Sequence, residues 1–368
     1  NDYAQKIKKA ANKFNINIFF AIKSYPRKFI AKYLYKKFNF GIEAATFGEL
    51  LLAYSSIKSK QHIIFNSNGK KEEEIAYALK KNVLYINCDS LDQFELILKT
   101  AEKNKKRARV LLRYNPSINP QVHPYIATSL KDSKFGMFEN DIREIIKNNQ
   151  SKFVEISGIH IHLGSNIKDE KVYEEGFKKT KEFIETLPLK LKTINIGGGF
   201  GVSYKKEEKD INIDKIFILS RKYFKDFQIL AEPGRYIVAK SGVLVSKVLS
   251  VKKTPYKNFI VIDAGVTENI RPALYGAYHP IIPLYHSLKK KKYDIVGIIC
   301  ESSDFQAKEI IFNEPKIGDL IAILNTGAYS IAMNSNYNTR LKPPEVVLQS
   351  NGKFYVIKQR QKYKDIII

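Results

Sequence analysis

The chain has 368 residues, long for one compact core, so two domains are expected. Apolar residues at 44% and aromatics at 12% exclude wholesale disorder, and no apolar run approaches the ~20 residues a membrane-spanning helix needs. The net charge of +25 raises a polyanion partner, but lysines are scattered over nearly every predicted helix; the densest runs, Lys103 to Arg109 and Lys289 to Lys292, carry no nucleic-acid motif and read as solvated surface.

The first residues, NDYAQKIKKAANKF, lack the apolar core of a signal peptide. The chain begins without Met and runs almost at once into a strand-like segment, so an upstream piece is expected. Cys88 and Cys300 have neither metal-ligand nor disulfide spacing, which points to a reducing, cytoplasmic setting and no metal centre.

Up to about residue 235, short β-rich runs alternate with longer amphipathic stretches such as GKKEEEIAYALKK, the pattern of a parallel α/β fold. The predicted strands are NIFFAIK (17–23), FGIEAAT (40–46), HIIFNS (62–67), VLYINCD (83–89), ARVLLRYN (108–115), EISGIHIHLG (155–164), KTINIGGG (192–199) and QILAEPGR (228–235). Eight strand–helix units make a (β/α)8 TIM barrel, expected over 1–238. Residues 239–368 are rich in β-branched residues, with turn signals at NEPKIGD, LKPP and QSNGK, and predict a mostly antiparallel β domain.

Barrel enzymes work at the C-terminal ends of their strands. Here those ends offer Lys23, Glu43, Asn66, Asp89, Arg113, His162, Gly197 to Gly199, Glu232 and Arg235. Such charged groups are costly at strand ends unless paired or functional. Alternation along the first strand aims Lys23 into the lumen, where a partly desolvated amine is suited to a Schiff base with an aldehyde cofactor. The GGGFG stretch fits either an anion site or a tight turn. His160 reads as a satisfied core residue; His162, nearer the rim, is the better contact for a flat ligand. Glu232 can keep a pyridine nitrogen protonated.

The blocks FAIKSYP, GIHIHLGS, NIGGGFG, AEPGR, IDAGVTENIRPALYGAYH, ICESSD and NTGAYSIAMNSNYN stand in the order and spacing of the alanine-racemase-like, fold-type III pyridoxal-phosphate decarboxylases. Within that group the chain most resembles the diaminopimelate decarboxylase family. The resemblance implies pyridoxal 5'-phosphate as cofactor and meso-2,6-diaminopimelate as substrate, with L-lysine and CO2 as products of the last step of lysine biosynthesis. It implies that Lys23 carries the cofactor, Glu232 pairs with its ring nitrogen and His162 stacks on the ring. Ser165, Gly198, Gly199, Pro233, Gly234, Arg235 and Tyr329 would complete the cofactor site. Arg235, Arg271, Tyr275, Glu301 and Tyr329 match substrate-contacting positions, with Arg271 reading the distal carboxylate and Glu301 the distal ammonium. Cys300 matches the thiol that returns the proton, reaching the site from the other subunit of a homodimer. Two positions depart from the family pattern, which often has Asp at Glu43 and Gly at Ser303. The competing expectations are an ornithine, lysine or carboxynorspermidine decarboxylase, or a non-catalytic relative of the same fold.

Overall fold

In a computed structural model, which describes residues 2–57, 59 and 62–367, eight apolar runs form a closed barrel of parallel strands. The order of elements is α1 (Asp2–Phe14), β1 (Ile16–Ala21), α2 (Lys28–Phe38), β2 (Gly41–Ala44), α3 (Phe47–Ser56), β3 (Ile63–Phe65), α4 (Glu72–Lys81), β4 (Tyr85–Cys88) and α5 (Leu91–Lys103). It continues with β5 (Ala108–Arg113), α6 (Glu139–Asn148), β6 (Val154–His160), α7 (Glu170–Glu185), β7 (Thr193–Asn195), α8 (Ile213–Tyr223), β8 (Gln228–Ala231) and α9 (Arg235–Val238). Every predicted strand exists, and each is shorter than expected at its C-terminal end. Before β1 the N-terminal stretch forms α1, because Ala4, Ile7, Ala10 and Ala11 recur at helical spacing and are buried together.

The helices follow from local sequence. Thr46, Ser90 and Asn212 cap α3, α5 and α8 by accepting from the backbone N–H three residues on. Asn39 and Asn82 end α2 and α4 in the left-handed conformation, at φ 56° and 52°. α7 buries Tyr173, Phe177 and Phe183 on one face and lays Lys–Glu pairs four residues apart on the other. β6 and β7 approach so closely at Gly158 that a Cβ there would lie 1.9 Å from the Thr193 carbonyl oxygen.

The chain divides into two compact units, 1–202 with 209–237, and 203–208 with 238–368. The second holds a six-stranded sheet built from β9 (Leu244–Lys253), β10 (Asn258–Ile262), β11 (Ile281–Pro283), β12 (Lys290–Val296), β13 (Phe305–Asn313) and β14 (Leu320–Ile323), in the order β11-β14-β9-β10-β12-β13. Only β10 and β12 pair in parallel, so the unit is mostly antiparallel as expected. Its core packs Val248, Ile260, Ile262, Tyr293, Ile295, Phe312, Ile321 and Ile323. The helix α10 (Arg271–Tyr275) follows β10, and a hairpin of β15 (Glu345–Leu348) and β16 (Phe354–Lys358) closes the unit. No helix among the described residues is long and apolar enough to cross a membrane.

Candidate active site

Polar side chains gather at the C-terminal end of the barrel lumen. Glu43 of β2, Asn87 of β4, His160 of β6 and Glu232, just past β8, come from alternate strands, the arrangement by which barrel side chains fill one layer, and all four are buried. One layer deeper lies the apolar cluster of Phe19, Ile64, Tyr85, Leu111 and Leu230. The lumen therefore presents an apolar floor under a polar ring.

Glu232 is the most tightly held member of that ring. Asn195 Nδ2 donates to its Oε1 at 2.6 Å, and His160 Nε2 lies 3.2 Å from its Oε2. Burial alone would raise this carboxyl, but His160, Lys23 and Asn195 outweigh burial and hold it below the usual carboxylate range. Burial lowers His160, and the network assigns it as a neutral imidazole that donates its Nε2 proton to Glu232. Asn195 also accepts from the Gly197 N–H at 3.0 Å, so one side chain ties Glu232 to the glycine turn after β7.

Lys23 reaches the ring by a route the sequence did not indicate. β1 ends at Ala21 and residues Ile22–Ser24 turn into a short 3-10 helix, so strand alternation stops two residues before Lys23. Its Nζ lies 3.5 Å from Glu43 Oε2 all the same. Burial pushes the Glu43 carboxyl up, to about 7, against the opposing pull of the Lys23 ammonium.

The glycine turn after β7 packs its backbone closely against the neighbouring strand ends. Gly199 has φ +85°, and a Cβ on Gly198 or Gly199 would stand 2.2 Å from the Glu232 carbonyl oxygen or 2.1 Å from that of Gly164. Only glycine lets the backbone lie there, and Tyr173 pins it by donating to the Gly198 carbonyl at 3.0 Å. Gly198 N–H donates to His162 Nδ1 at 3.2 Å, which fixes His162 as a base-side acceptor. Burial, then the Lys23 and Arg113 charges, holds His162 well below its ordinary value, so it offers an uncharged ring. Arg235 opens α9 after Pro233 and Gly234, and its Nη2 donates to Ser165 Oγ at 3.0 Å. The barrel unit thus brings together Lys23, His162, Ser165, Gly198, Gly199, Glu232, Pro233, Gly234 and Arg235.

Two further rim residues pair with each other. Arg113 Nη1 lies 2.9 Å from Asp89 Oδ1, and Asp89 Oδ2 accepts from Gly136 N–H at 3.0 Å. A second lysine near the strand ends, Lys70, was not anticipated. Its Nζ donates to the Ser67 and Asn87 carbonyls and to Gln93 Oε1 at 2.8, 2.6 and 2.9 Å, so its three protons are used in bracing β4. Burial pushes the Cys88 thiol up, to about 12, which makes it inert.

The other expected residues lie in the second unit. Arg271 begins α10, is buried, and donates through Nη1 to Tyr204 Oη at 3.2 Å and to His279 Nε2 at 2.9 Å. His279 Nδ1 donates to the Leu324 carbonyl at 2.9 Å, which leaves Nε2 as the acceptor Arg271 needs. Tyr275 ends the same helix. Cys300 and Glu301 share an exposed turn, with Glu301 Oε1 accepting from Tyr337 Oη at 2.6 Å. Tyr329 has φ 63°, uncommon for a bulky residue and typical of strained functional positions. Arg271 and Glu301, expected to act as a pair, take these contacts from different side chains. Among the described residues no group of His, Cys, Asp or Glu side chains is placed to hold a metal ion.

The sequence reading missed Asn195, Tyr173, Tyr204 and His279. Asn195 left a signal: it is a polar residue amid the apolar TINIG run. Comparison with known proteins places these residues in a family. Residues 1–239 match the family model described as pyridoxal-dependent decarboxylase, pyridoxal binding domain. The chain is 38% identical over 337 residues to the diaminopimelate decarboxylase of Aquifex aeolicus, spanning 89% of this chain and 79% of that one. It is 36% identical over 367 residues to that of Campylobacter jejuni, spanning 98% and 91%. It superposes with a TM-score of 0.92 and 34% identity on the crystal structure of diaminopimelate decarboxylase from Helicobacter pylori complexed with L-lysine, covering 98% of this chain and 93% of that one.

Proposed function

The chain belongs to the diaminopimelate decarboxylase family of pyridoxal-dependent decarboxylases, and from that premise we propose that it converts meso-2,6-diaminopimelate to L-lysine and CO2 at the mouth of its barrel. The observation that carries the reading is a buried carboxylate, Glu232, gripped by two N–H donors in the same ring as Lys23 and beside a tight glycine turn. The donor set fits pyridoxal 5'-phosphate. Ser165, Gly199 and the backbone around Gly234 and Arg235 suit its phosphate, the uncharged His162 suits its ring face, and Glu232 suits its ring nitrogen. When bound, the cofactor supplies a protonated ring that accepts the electron pair left by the departing carboxylate.

The protein's own groups then have separate tasks. Lys23 would hold the cofactor, with Glu43 Oε2 beside its Nζ to exchange a proton. Glu232, kept ionised by Asn195 and His160, holds a proton on the ring nitrogen. Arg271 reads the distal carboxylate in a geometry fixed by Tyr204 and His279, and Glu301 reads the distal ammonium. Tyr275 and Tyr329 complete the substrate contacts. Cys300 returns a proton to the α-carbon at the D-configured end.

We place Cys300 in the site of a partner copy, in a homodimer with shared active sites. Its exposure supports this, as does the apolar strip of Val346, Leu348, Phe354 and Val356 on the terminal hairpin, a face suited to burial against protein. A cytoplasmic setting suits an exposed free thiol. The test is a titration of the purified protein with pyridoxal phosphate, followed by rates on meso-diaminopimelate, L-lysine and L-ornithine. A lysine-bound cofactor absorbance with turnover of diaminopimelate alone is expected; comparable turnover of L-ornithine would overturn the substrate assignment.

A further inference from the structure

The turn that carries Cys300 and Glu301 has little hydrophobic anchorage, since residues 300 to 303 are exposed. A single buried side chain organises it. Asp304 is 4% exposed, and its carboxylate faces backward into the turn: Oδ2 accepts from Ile299 N–H at 3.0 Å, while Oδ1 accepts from Val266 N–H at 2.8 Å. Its own N–H donates to the Glu301 carbonyl and its carbonyl accepts from Gly297 N–H, at 3.0 and 3.1 Å. The fit around the carboxylate is close enough to exclude side chains, since a Cβ on Gly265 or Gly297 would stand 2.2 Å from one of its oxygens.

The contact to Val266 joins two segments. Residues 264 to 270 lead directly into α10 and Arg271. The same segment is bonded further along: Asn269 and Gln306 exchange two hydrogen bonds at 3.0 and 3.1 Å, and Ser330 Oγ, next to Tyr329, donates to Asn269 Oδ1 at 2.9 Å. The carriers of Cys300, Glu301, Arg271 and Tyr329 are therefore bonded into one frame within the second unit.

We propose that Asp304 is a positioning residue, whose carboxylate clamps the Cys300–Glu301 turn onto the segment that leads to Arg271 and so sets where the thiol and Glu301 stand. The inference rests on the reading that Cys300 serves the reaction. An acceptor-only carboxylate suits the place, because both contacts are backbone N–H donors. In Asp304→Asn one oxygen is replaced by an NH2 group that faces an N–H, so one clamp is lost while volume is kept.

The two cysteines make the test specific. In the holoenzyme, a maleimide should modify Cys300 about fivefold or more faster in Asp304→Asn than in the wild type, the change expected for loss of one buried hydrogen bond, while Cys88, buried at the end of β4, stays unmodified. With diaminopimelate, kcat should fall roughly ten- to hundredfold, with KM changed less and the absorbance of the bound cofactor unaltered. An unchanged Cys300 labelling rate would overturn the clamp. Should Cys88 become reactive as well, the variant has unfolded, and the wild type decides: hydrogen exchange at the Val266 and Ile299 amides must be strongly retarded, and rapid exchange there would overturn the proposal. Labelling needs no turnover, so the two ideas fail separately. A Cys300→Ser variant with full activity would remove the role of the thiol and leave the clamp standing.

Discussion

Replacing Glu232 with Gln separates the chemistry of the site from its stability. Glutamine keeps the shape and one oxygen, so Asn195 Nδ2 can donate as before. The new NH2 group meets His160 Nε2, now a donor facing a donor. The other ring nitrogen, His160 Nδ1, is buried with no hydrogen-bond partner among the described residues, so the imidazole can carry its proton there and present Nε2 as an acceptor. Moving the proton there leaves one buried N–H unpaired, so thermal stability should fall by about 1 to 3 kcal/mol. Activity of the folded variant should fall as well, because the charge that holds a proton on the ring nitrogen is gone. A unit pair ~4 Å apart in a protein environment is worth up to ~4 kcal/mol, and a loss of ~2 to 4 kcal/mol is roughly a 30- to 1000-fold fall in kcat. The assay is CO2 release from meso-diaminopimelate at saturating cofactor, beside a melting curve for each protein. A folded variant within threefold of the wild-type kcat would show that Glu232 is not the partner of the ring nitrogen.

Arg271→Ala should lower kcat/KM for diaminopimelate by roughly 30- to 4000-fold, the cost of a lost charge-assisted contact, and should affect any residual lysine turnover much less; equal losses on both substrates would refute the carboxylate role. Mixing inactive Lys23→Ala subunits with inactive Cys300→Ala subunits should restore about a quarter of the activity if subunits exchange freely and each site draws on two chains; no recovery despite proven exchange would place both residues in one chain. Glu43→Gln should alter the pH dependence of stability in the protein freed of cofactor. Burial raises the Glu43 carboxyl to about 7, above its unfolded value, so its contribution is fully present below the unfolded value and is lost as pH rises through about 7. The variant cannot ionise, so its Tm should gain on the wild type by up to roughly 10 °C between about pH 5 and pH 8, at roughly 2 to 4 °C per kcal/mol for a unit the size of the barrel; a constant Tm difference would contradict the assignment.

The barrel was legible because parallel strands buried on both faces leave short apolar runs between amphipathic helices. The ends of those strands were less legible. β7 keeps only Thr193–Asn195 because the glycines after it turn sharply, and β1 gives way to a 3-10 helix before Lys23, so period-two reasoning did not reach the residue it was used to orient. His160 was read as a satisfied core residue, and only half of it is: Nε2 bonds Glu232, 72 positions away, which local sequence does not reveal, while Nδ1 has no partner among the described residues. The same applies to Arg271, held by Tyr204, 67 positions before it. Asp304 stands inside the ICESSD block, but its role was not legible there, because both partners of its carboxylate are backbone N–H groups, which every sequence carries alike.

The most direct test of the central claim follows the carbon. The holoenzyme should be given meso-2,6-diaminopimelate labelled with carbon-13 only in the carboxylate at the D-configured centre. The account predicts one labelled CO2 and one unlabelled L-lysine per turnover. Labelled lysine, or an amine product that has lost a different carboxylate, would contradict it.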